Sequence, residues 1–392
     1  MEPALPYSGL KVIDLSQGLA GPLCTMLMAQ HGADVIKVEP AAGDWSRHLG
    51  TRHAGRTALE IAGNRGKRSI ALDMKQPGAV LAVKRMAAKA DVFVEAFRPG
   101  VADRLGVGYA ALSADNPELI YLAVSGYGQS GPYAQRPATD TVVQAFSGMM
   151  ALNRDQTGRP ARINFLAPDT IAGLFAFQAV AAALYGRRDS SRGQFLDVSL
   201  IQSSAAFLTH KIVEARLEGD APRQLNAPAG VYQTRDGWMA ITLNKEAQFA
   251  ALCRAIGRDD LTADPRFGSF VSRFDNRVDL IPEIQKAVLG RGTDDWLAIF
   301  ARHDVISDRI NSPRDWLADP HVLATDAYRD IEIPGLGPVP IPAVPGVVPP
   351  AAGEARGEWP LIGAHGPEIL GEHGYSAAEI ETLVQSGALI KP

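Results

Sequence analysis

The segment from Leu10 to Glu39 limits the fold more than any other, because it reads as strand, small-residue turn, helix and strand in immediate succession. Leu10 to Leu15 has the length and apolar content of a buried strand. The turn Gln17-Gly18-Leu19-Ala20-Gly21-Pro22 follows, and its proline suits a first helical position, which predicts a helix through about Gln30. Ala33 to Glu39, ADVIKVE, is a second strand. Two strands joined through a helix imply parallel pairing and a right-handed crossover, so the fold class is α/β. Two more units follow: Gln76 to Ala90 as helix into Asp91 to Phe97 as strand, then helical turns over 101–113 into Leu119 to Ser125. Open sheets of this kind bind ligands beyond the carboxyl ends of their strands, where the strand order reverses. The loops after Asp14, Glu39, Phe97 and Ser125 are therefore where a site is expected. A dinucleotide-binding dehydrogenase is excluded by the absence of G-x-G-x-x-G after the first strand.

Residues 168–186 predict a core helix, apolar almost all round and too alanine-rich for a membrane span. A polar turn, Arg187 to Gly193, leads to a strand over Gln194 to Leu200 and a helix to about Glu218. These boundaries give a large domain whose first part is residues 1–218, then a linker over 219–230 rich in Pro, Ala, Asp and Asn. A small α+β domain over 231–325 comes next, opening with a hairpin around Arg235-Asp236-Gly237. Residues 326–392 make a proline-rich return strap and the remainder of the large domain, with Ser376 capping a final helix.

A chain of 392 residues with 46% hydrophobic content can bury two such cores. The net charge of −4 and a pI of about 6.1 give no reason to expect nucleic acid or an acidic membrane as partner. Cys24 and Cys253 are too few for a disulfide framework or metal site, and the histidines show no ligand spacing, so no metal is expected. No basic and apolar leader opens the sequence, and a reducing cytoplasm is the expected location.

The chemistry is expected in GPYAQRPATDTVVQAFSGM, residues 131–149. Pro132 and Pro137 hold the approach extended. Asp140 then begins a helix whose Val142, Val143, Ala145, Phe146 and Met149 recur at helical spacing. A carboxylate there stays ionised and fixed in direction, as a nucleophile needs; the same position also suits a simple helix cap.

These stretches resemble the family III CoA-transferases, which include formyl-CoA and carnitine-type enzymes and, as a close branch, the α-methylacyl-CoA racemases. The resemblance is carried by LAGP at 19–22, GADVIKVEP with GD and Arg at 32–47, NRGKRSIALDMK at 64–75 and DVFVEAFRPGVADRLG at 91–106. SGYGQSGP at 125–132, P-x-x-D-x-x-x-Q-A at 137–145, RGQ-x-x-D-V-S-L at 192–200 and LIGAHGPEILGEHGYS at 361–376 complete it, nearly end to end. It implies a Rossmann-like large domain with a parallel sheet built from both chain ends, a smaller α+β domain between them, and an interlocked homodimer.

The resemblance also implies that Asp140 attacks an acyl-CoA thioester. The products are an aspartyl mixed anhydride and then an enzyme–CoA thioester, from which CoA passes to a free carboxylic acid. Coenzyme A is then a co-substrate, and no permanent cofactor is needed. Lys37, Lys75 and Arg104 match cations that bind CoA in the family, with Arg47, Lys67 and Arg68 in the same segments. Leu72, Ala96, Phe97 and Leu105 match positions along the adenine and the pantetheine arm. Ala96 stands where relatives carry asparagine, which removes one expected hydrogen bond. The racemase branch uses a histidine just before Asp140, with aspartate and glutamate matching Asp169 and Glu246. Here Thr139 replaces that histidine and cannot take a proton from an α-carbon, which weighs against the racemase alternative. Asp169 is then expected to cap its helix or to orient a neighbour, and Glu246 to face solvent. Asn226 to Gly230 lacks the glycine run of formyl-CoA transferases. A non-catalytic CoA-binding protein is the remaining alternative, which the intact motif around Asp140 opposes. A small dicarboxylate would need a second cation, for which Arg136, Arg162 and Lys211 are candidates.

Overall fold

The computed structural model describes residues 5–155, 157–219 and 226–392. The chain divides into two compact units, Met1–Thr209 with Tyr328–Pro392, and His210–Ala327. The sequence reading placed these divisions at 218 and 325. The helix Thr209–Glu218 falls almost wholly in the second unit, and half of the expected linker, residues 220–225, lies outside the described residues.

The first unit opens with β1 (Lys11–Asp14), α1 (Ala20–Gln30), β2 (Asp34–Glu39), α2 (Ala58–Asn64), β3 (Arg68–Leu72), α3 (Pro77–Ala87) and β4 (Val92–Glu95). It continues through α4 (Val101–Arg104), α5 (Tyr109–Asp115), β5 (Ile120–Ser125), α6 (Asp140–Phe146), α7 (Met149–Leu152), α8 (Ala167–Ser190) and β6 (Gln194–Ser199). The parallel strands lie in the order β3-β2-β1-β4-β5-β6, with a register that sets Ile13 beside Ile36 and Phe93. This is the doubly wound arrangement, and its order reverses between β1 and β4. Strand β3 is absent from the sequence reading, where its residues serve only as part of a motif.

Alternation along the strands divides the core in two, as a sheet covered on both faces requires. Ile13, Ile36, Phe93 and Tyr121 point to one face, with Val83 and Met86 of α3. Val12, Val35, Val92 and Leu122 point to the other, with Cys24 of α1 and Ala176 of α8. Helices α1 and α8 approach closely at Gly173, where a methyl group would stand 2.8 Å from the Ala20 carbonyl oxygen. Helix α8 is long and apolar enough to cross a membrane, and here one of its faces is buried in this core.

The second unit holds an antiparallel sheet of β7 (Gly230–Gln233), β8 (Trp238–Thr242) and β9 (Ile306–Arg309), packed with helices around Phe249, Leu252, Ile284 and Phe300. The first two strands form the hairpin expected around Arg235-Asp236-Gly237. The return segment is more ordered than a strap: β10 (Tyr328–Ile333) and β11 (Gly337–Pro342) pair as a hairpin. Ser376 caps the helix Ala377–Gln385 in a capping box with Glu379. Strand β12 (Leu389–Ile390) then adds antiparallel to β3, with Leu389 opposite Leu72 and Ile390 opposite Ala71.

Candidate active site

Asp140 sits beyond the carboxyl end of β5, at the first residue of α6. The route there is fixed by contact rather than by proline alone. Gly126, directly after β5, lies so close to Ala138 that a methyl group on it would stand 2.2 Å from the alanine Cβ. The Gly128 N–H donates to Ser125 Oγ at 3.0 Å, and the Gln129 N–H to Asp197 Oδ2 of β6 at 3.0 Å. The loop glycines otherwise serve as turns: Gly128 and Gly131 adopt positive φ, and Gly230 opens strand β7.

The carboxylate of Asp140 is only 5% exposed and both its oxygens are engaged. Gln144, one turn along α6 and fully buried, donates from Nε2 to Oδ1 at 2.7 Å. Gln144 is itself gripped by the segment before α8. Its Nε2 also reaches the Ile163 and Phe165 carbonyls at 3.2 and 3.1 Å, and its Oε1 accepts from the Ile163 N–H at 2.9 Å. The second Asp140 oxygen accepts from the main-chain N–H of Asp169 at 3.3 Å. The N–H groups expected beside Asp140 were those of its own helix; the one that binds it comes from the first turn of α8. Burial raises the Asp140 pKa, while Gln144, the Asp169 N–H and Arg162 hold it down.

Asp169 is not the N-cap of α8, a position held by Leu166. Its carboxylate is partly buried and accepts no hydrogen bond from another described residue. Burial first, and the neighbouring charge of Asp140 second, push it up to about 7. Two carboxylates therefore face one another, one clamped and one loose. That arrangement does not favour Asp140 as the attacking group, because each of its oxygens already accepts a hydrogen bond and its surface is closed. The helical i,i+4 spacing of Asp140 and Gln144 was readable in the sequence. The approach of Asp169 was not.

Of the cations expected to meet a second carboxylate, Arg162 is exposed, acts on Asp140, and donates to Asn164 Oδ1 at 3.2 Å. Arg136 lies over the rings of Tyr127 and Tyr133, at 6.0 and 5.4 Å. Lys211 pairs with Glu214 at 2.6 Å. Glu246, in the second unit, does not simply face solvent: it pairs with the buried Arg273 and accepts from the Phe270 N–H.

The residues expected to hold CoA divide into two groups. Lys75 and Arg104 are exposed and form no ion pair among the described residues. Phe97 and Leu105 pack, partly buried, against the same core cluster as Met74, so the ends of β3 and β4 bring these positions together. Ala96 is partly buried against the opposite cluster. Two assignments need correction. Leu72 is 1% exposed and belongs to the core, so its side chain lines no ligand surface. Lys37 is wholly buried: Nζ donates to the Ser16 carbonyl at 2.7 Å, pairs with Asp44 at 2.9 Å and lies 3.9 Å from Asp14. Buried among these partners, it presents no surface to a phosphate.

Lys67 and Arg47 are inward-facing as well. Lys67 pairs with Asp14 at 2.9 Å, and burial, only partly offset by Asp14, brings it down to about 8. Arg47 binds Glu39 at 2.7 Å and Glu60 at 2.8 Å, and Arg56 completes the ladder to Glu60 at 2.6 Å. Arg68 is held by Asp34 and Glu372, at 2.7 and 2.9 Å. Among the expected cations, the surface that can meet CoA phosphates is thus reduced to Lys75 and Arg104.

Comparison with known proteins agrees with the motifs. The family model described as CoA-transferase family III matches residues 7–366. The human succinyl-CoA:glutarate CoA-transferase is 34% identical over 377 residues, covering 94% of this chain and 84% of that protein. The acetyl-CoA:oxalate CoA-transferase of Acetobacter aceti is 38% identical over 312 residues, covering 78% and 80%. The crystal structure of a CAIB/BAIF family protein from Brucella suis superposes with a TM-score of 0.83 at 31% identity, covering 95% of this chain and 100% of that one.

Proposed function

Because the chain belongs to CoA-transferase family III, we propose that it moves CoA from an acyl-CoA donor to a free dicarboxylic acid, with Asp169 as the attacking carboxylate and Asp140 as its positioning partner. One observation carries this choice: both Asp140 oxygens are engaged, whereas the Asp169 carboxylate accepts no hydrogen bond from another described residue.

An oxygen of Asp169 attacks the thioester carbonyl, and the C–S bond breaks to release CoA thiolate and leave an aspartyl mixed anhydride. The thiolate then attacks the aspartyl carbonyl, forming the enzyme–CoA thioester and freeing the donor acid. An acceptor carboxylate attacks that thioester and expels the thiolate again. Attack of the thiolate on the acceptor's acyl carbon yields the new acyl-CoA and restores Asp169. Every step exchanges one activated acyl bond for another, so no external energy source enters. A desolvated carboxylate of raised basicity is a stronger nucleophile than an exposed one, and the fixed charge of Asp140 maintains that basicity.

Arg162 supports the choice of a dicarboxylate, as the one candidate cation that is exposed and acts on Asp140. CoA would run along Phe97 and Leu105 with its phosphates near Lys75 and Arg104. The interlocked homodimer belongs to the same proposal, supported by the large apolar side chains of Phe165, Leu174, Tyr185 and Phe207 left exposed on this unit. A cytoplasmic location completes it, in keeping with two buried free cysteines.

Intact-protein mass spectrometry after mixing with succinyl-CoA or glutaryl-CoA and hydroxylamine tests the mechanism. A hydroxamate mapped to Asp169 is the expected result; one mapped to Asp140 would return the nucleophile to α6. In steady-state assays, Arg162→Met should raise KM for succinate about tenfold or more and leave that for butyrate unchanged.

A further inference from the structure

A second cavity, of about 690 Å³, opens between the return segment and the helices α1 and α2. Gln30 and Arg65 in its wall precede β2 and β3, so it lies at the amino ends of these strands, whereas Asp140 and Asp169 lie beyond carboxyl ends. It shares no lining residue with the reaction site described above. Its volume is that of a small-molecule site, and its lining mixes apolar side chains with charged ones, Asp330, Glu332 and Glu358 among them.

Arg65 sets this cavity apart. The residue is 5% exposed, yet its guanidinium makes no hydrogen bond or ion pair with another described residue. The neighbouring arginines are all occupied. Arg56 donates to Glu60 at 2.6 Å and to the Trp359 carbonyl at 3.0 Å. Arg356 is held by Glu354, and donates to the Gln30 and Val348 carbonyls at 2.9 and 3.1 Å. Glu354 on the rim is thereby consumed. Burial, and then the like charge of Arg356, bring Arg65 down to about 10. A nearly buried cation without a partner among the described residues is costly, and Arg65 borders this cavity.

We propose that this cavity binds a monocarboxylic acid with an apolar body, its carboxylate paired with Arg65 and its hydrocarbon lying against Ile331, Ile341, Val344, Val347 and Trp359. A single planar guanidinium matches one carboxylate in charge and in geometry. Arg56 and Arg329 in the same wall already have partners, which leaves Arg65 as the one lining guanidinium without a partner among the described residues. The ligand therefore differs in class from the dicarboxylate of the reaction, and the inference stands whether or not that substrate assignment holds.

Calorimetric titration of the full-length protein with decanoate tests it, in the presence of saturating CoA so that the reaction site is filled. Saturable uptake of one decanoate per chain is expected. Arg65→Met should weaken it about ten- to hundredfold, and decanol should bind correspondingly more weakly than decanoate. Val347→Trp, which fills the cavity and leaves Arg65 in place, should abolish it. Arg65→Met should keep CoA-exchange activity and, without ligand, raise the melting temperature, since it removes an unpaired buried charge. Absence of saturable binding overturns the proposal, including absence because a second copy of the chain fills the cavity. Equal binding by Arg65→Met, or loss of binding on saturation with CoA, overturns it as well.

Discussion

The main-chain N–H of Asp169 donates to Oδ2 of Asp140 across 3.3 Å, so the residue with the loose carboxylate also holds the clamped one in place. The two groups titrate as a coupled pair. Asp169 is pushed up to about 7, by burial first and by Asp140 second. The ionised form attacks, so kcat/KM for the acyl-CoA should rise tenfold per pH unit below about 7 and level off above it. A profile already flat from pH 5 would remove Asp169 from the attacking role.

Gln144→Leu tests the coupling from the other side. It removes the donor on Asp140 Oδ1 and should make Asp140 harder to ionise. The charge that raises Asp169 is then weakened, and the acid limb of the rate profile should move to lower pH. The plateau should fall about ten- to hundredfold as the pair loses its anchor. A lower plateau with an unmoved acid limb would mean that Gln144 serves structure alone.

Asp169→Asn should stabilise the fold. Between about pH 4 and 7 the folded chain keeps a proton on Asp169 that the unfolded chain has lost, so stability declines as pH rises through that window. At pH 8 the variant should be more stable than the parent by about 1 to 3 kcal/mol, the span allowing for partial exposure. Glu95, also raised to about 7, contributes the same slope in both proteins and drops out of the difference. Urea melts at pH 5 and pH 8 measure it; an equal difference at both would contradict the linkage.

Gly126→Ala places a methyl group 2.2 Å from the Ala138 Cβ, two residues before Asp140. Since a displacement of about 1 Å can cost about a hundredfold in rate, kcat should drop by one to two orders of magnitude with little change in KM for CoA. A wild-type kcat would show that the 126–138 contact does not set the position of Asp140.

Lys37→Met leaves Asp44 without its buried cation and should destabilise the protein by about 3 to 5 kcal/mol. Folded variant assayed at low temperature should show an unaltered KM for CoA. Lys75→Met should behave oppositely, with a raised KM and an unaltered melting temperature.

That contrast shows where sequence reasoning reached its limit. Strands such as Ala33 to Glu39 were legible from apolar content and from flanking turns. In a sheet buried on both faces, however, a lysine in a strand has nowhere to go but inward. Its partners Asp14, Ser16 and Asp44 come from two other segments, so nothing local marks the network. The approach of Asp169 to Asp140 was hidden for the same reason, because only the packing of α8 beside α6 brings its N–H to Asp140. The hairpin β10–β11 was hidden by prolines. Pro338, Pro340 and Pro342 occupy every second position, so their missing N–H groups all fall on one side of the strand, which pairing on the other side tolerates. Helix α8, the first hairpin of the second unit and the Ser376 cap were readable, since each depends on its own residues.

The pairing of Leu389 and Ile390 with Leu72 and Ala71 has a bearing on how the protein is made. The edge of β3 leaves the ribosome well before the strand that covers it, since Leu389 lies more than 300 residues after Leu72. At about 5 to 20 residues per second, that edge stays open for roughly 15 to 60 s in every nascent chain. During that interval it is a ready template for another strand. Crowded polysomes, rather than the finished enzyme, are where this sheet is most vulnerable to mispairing.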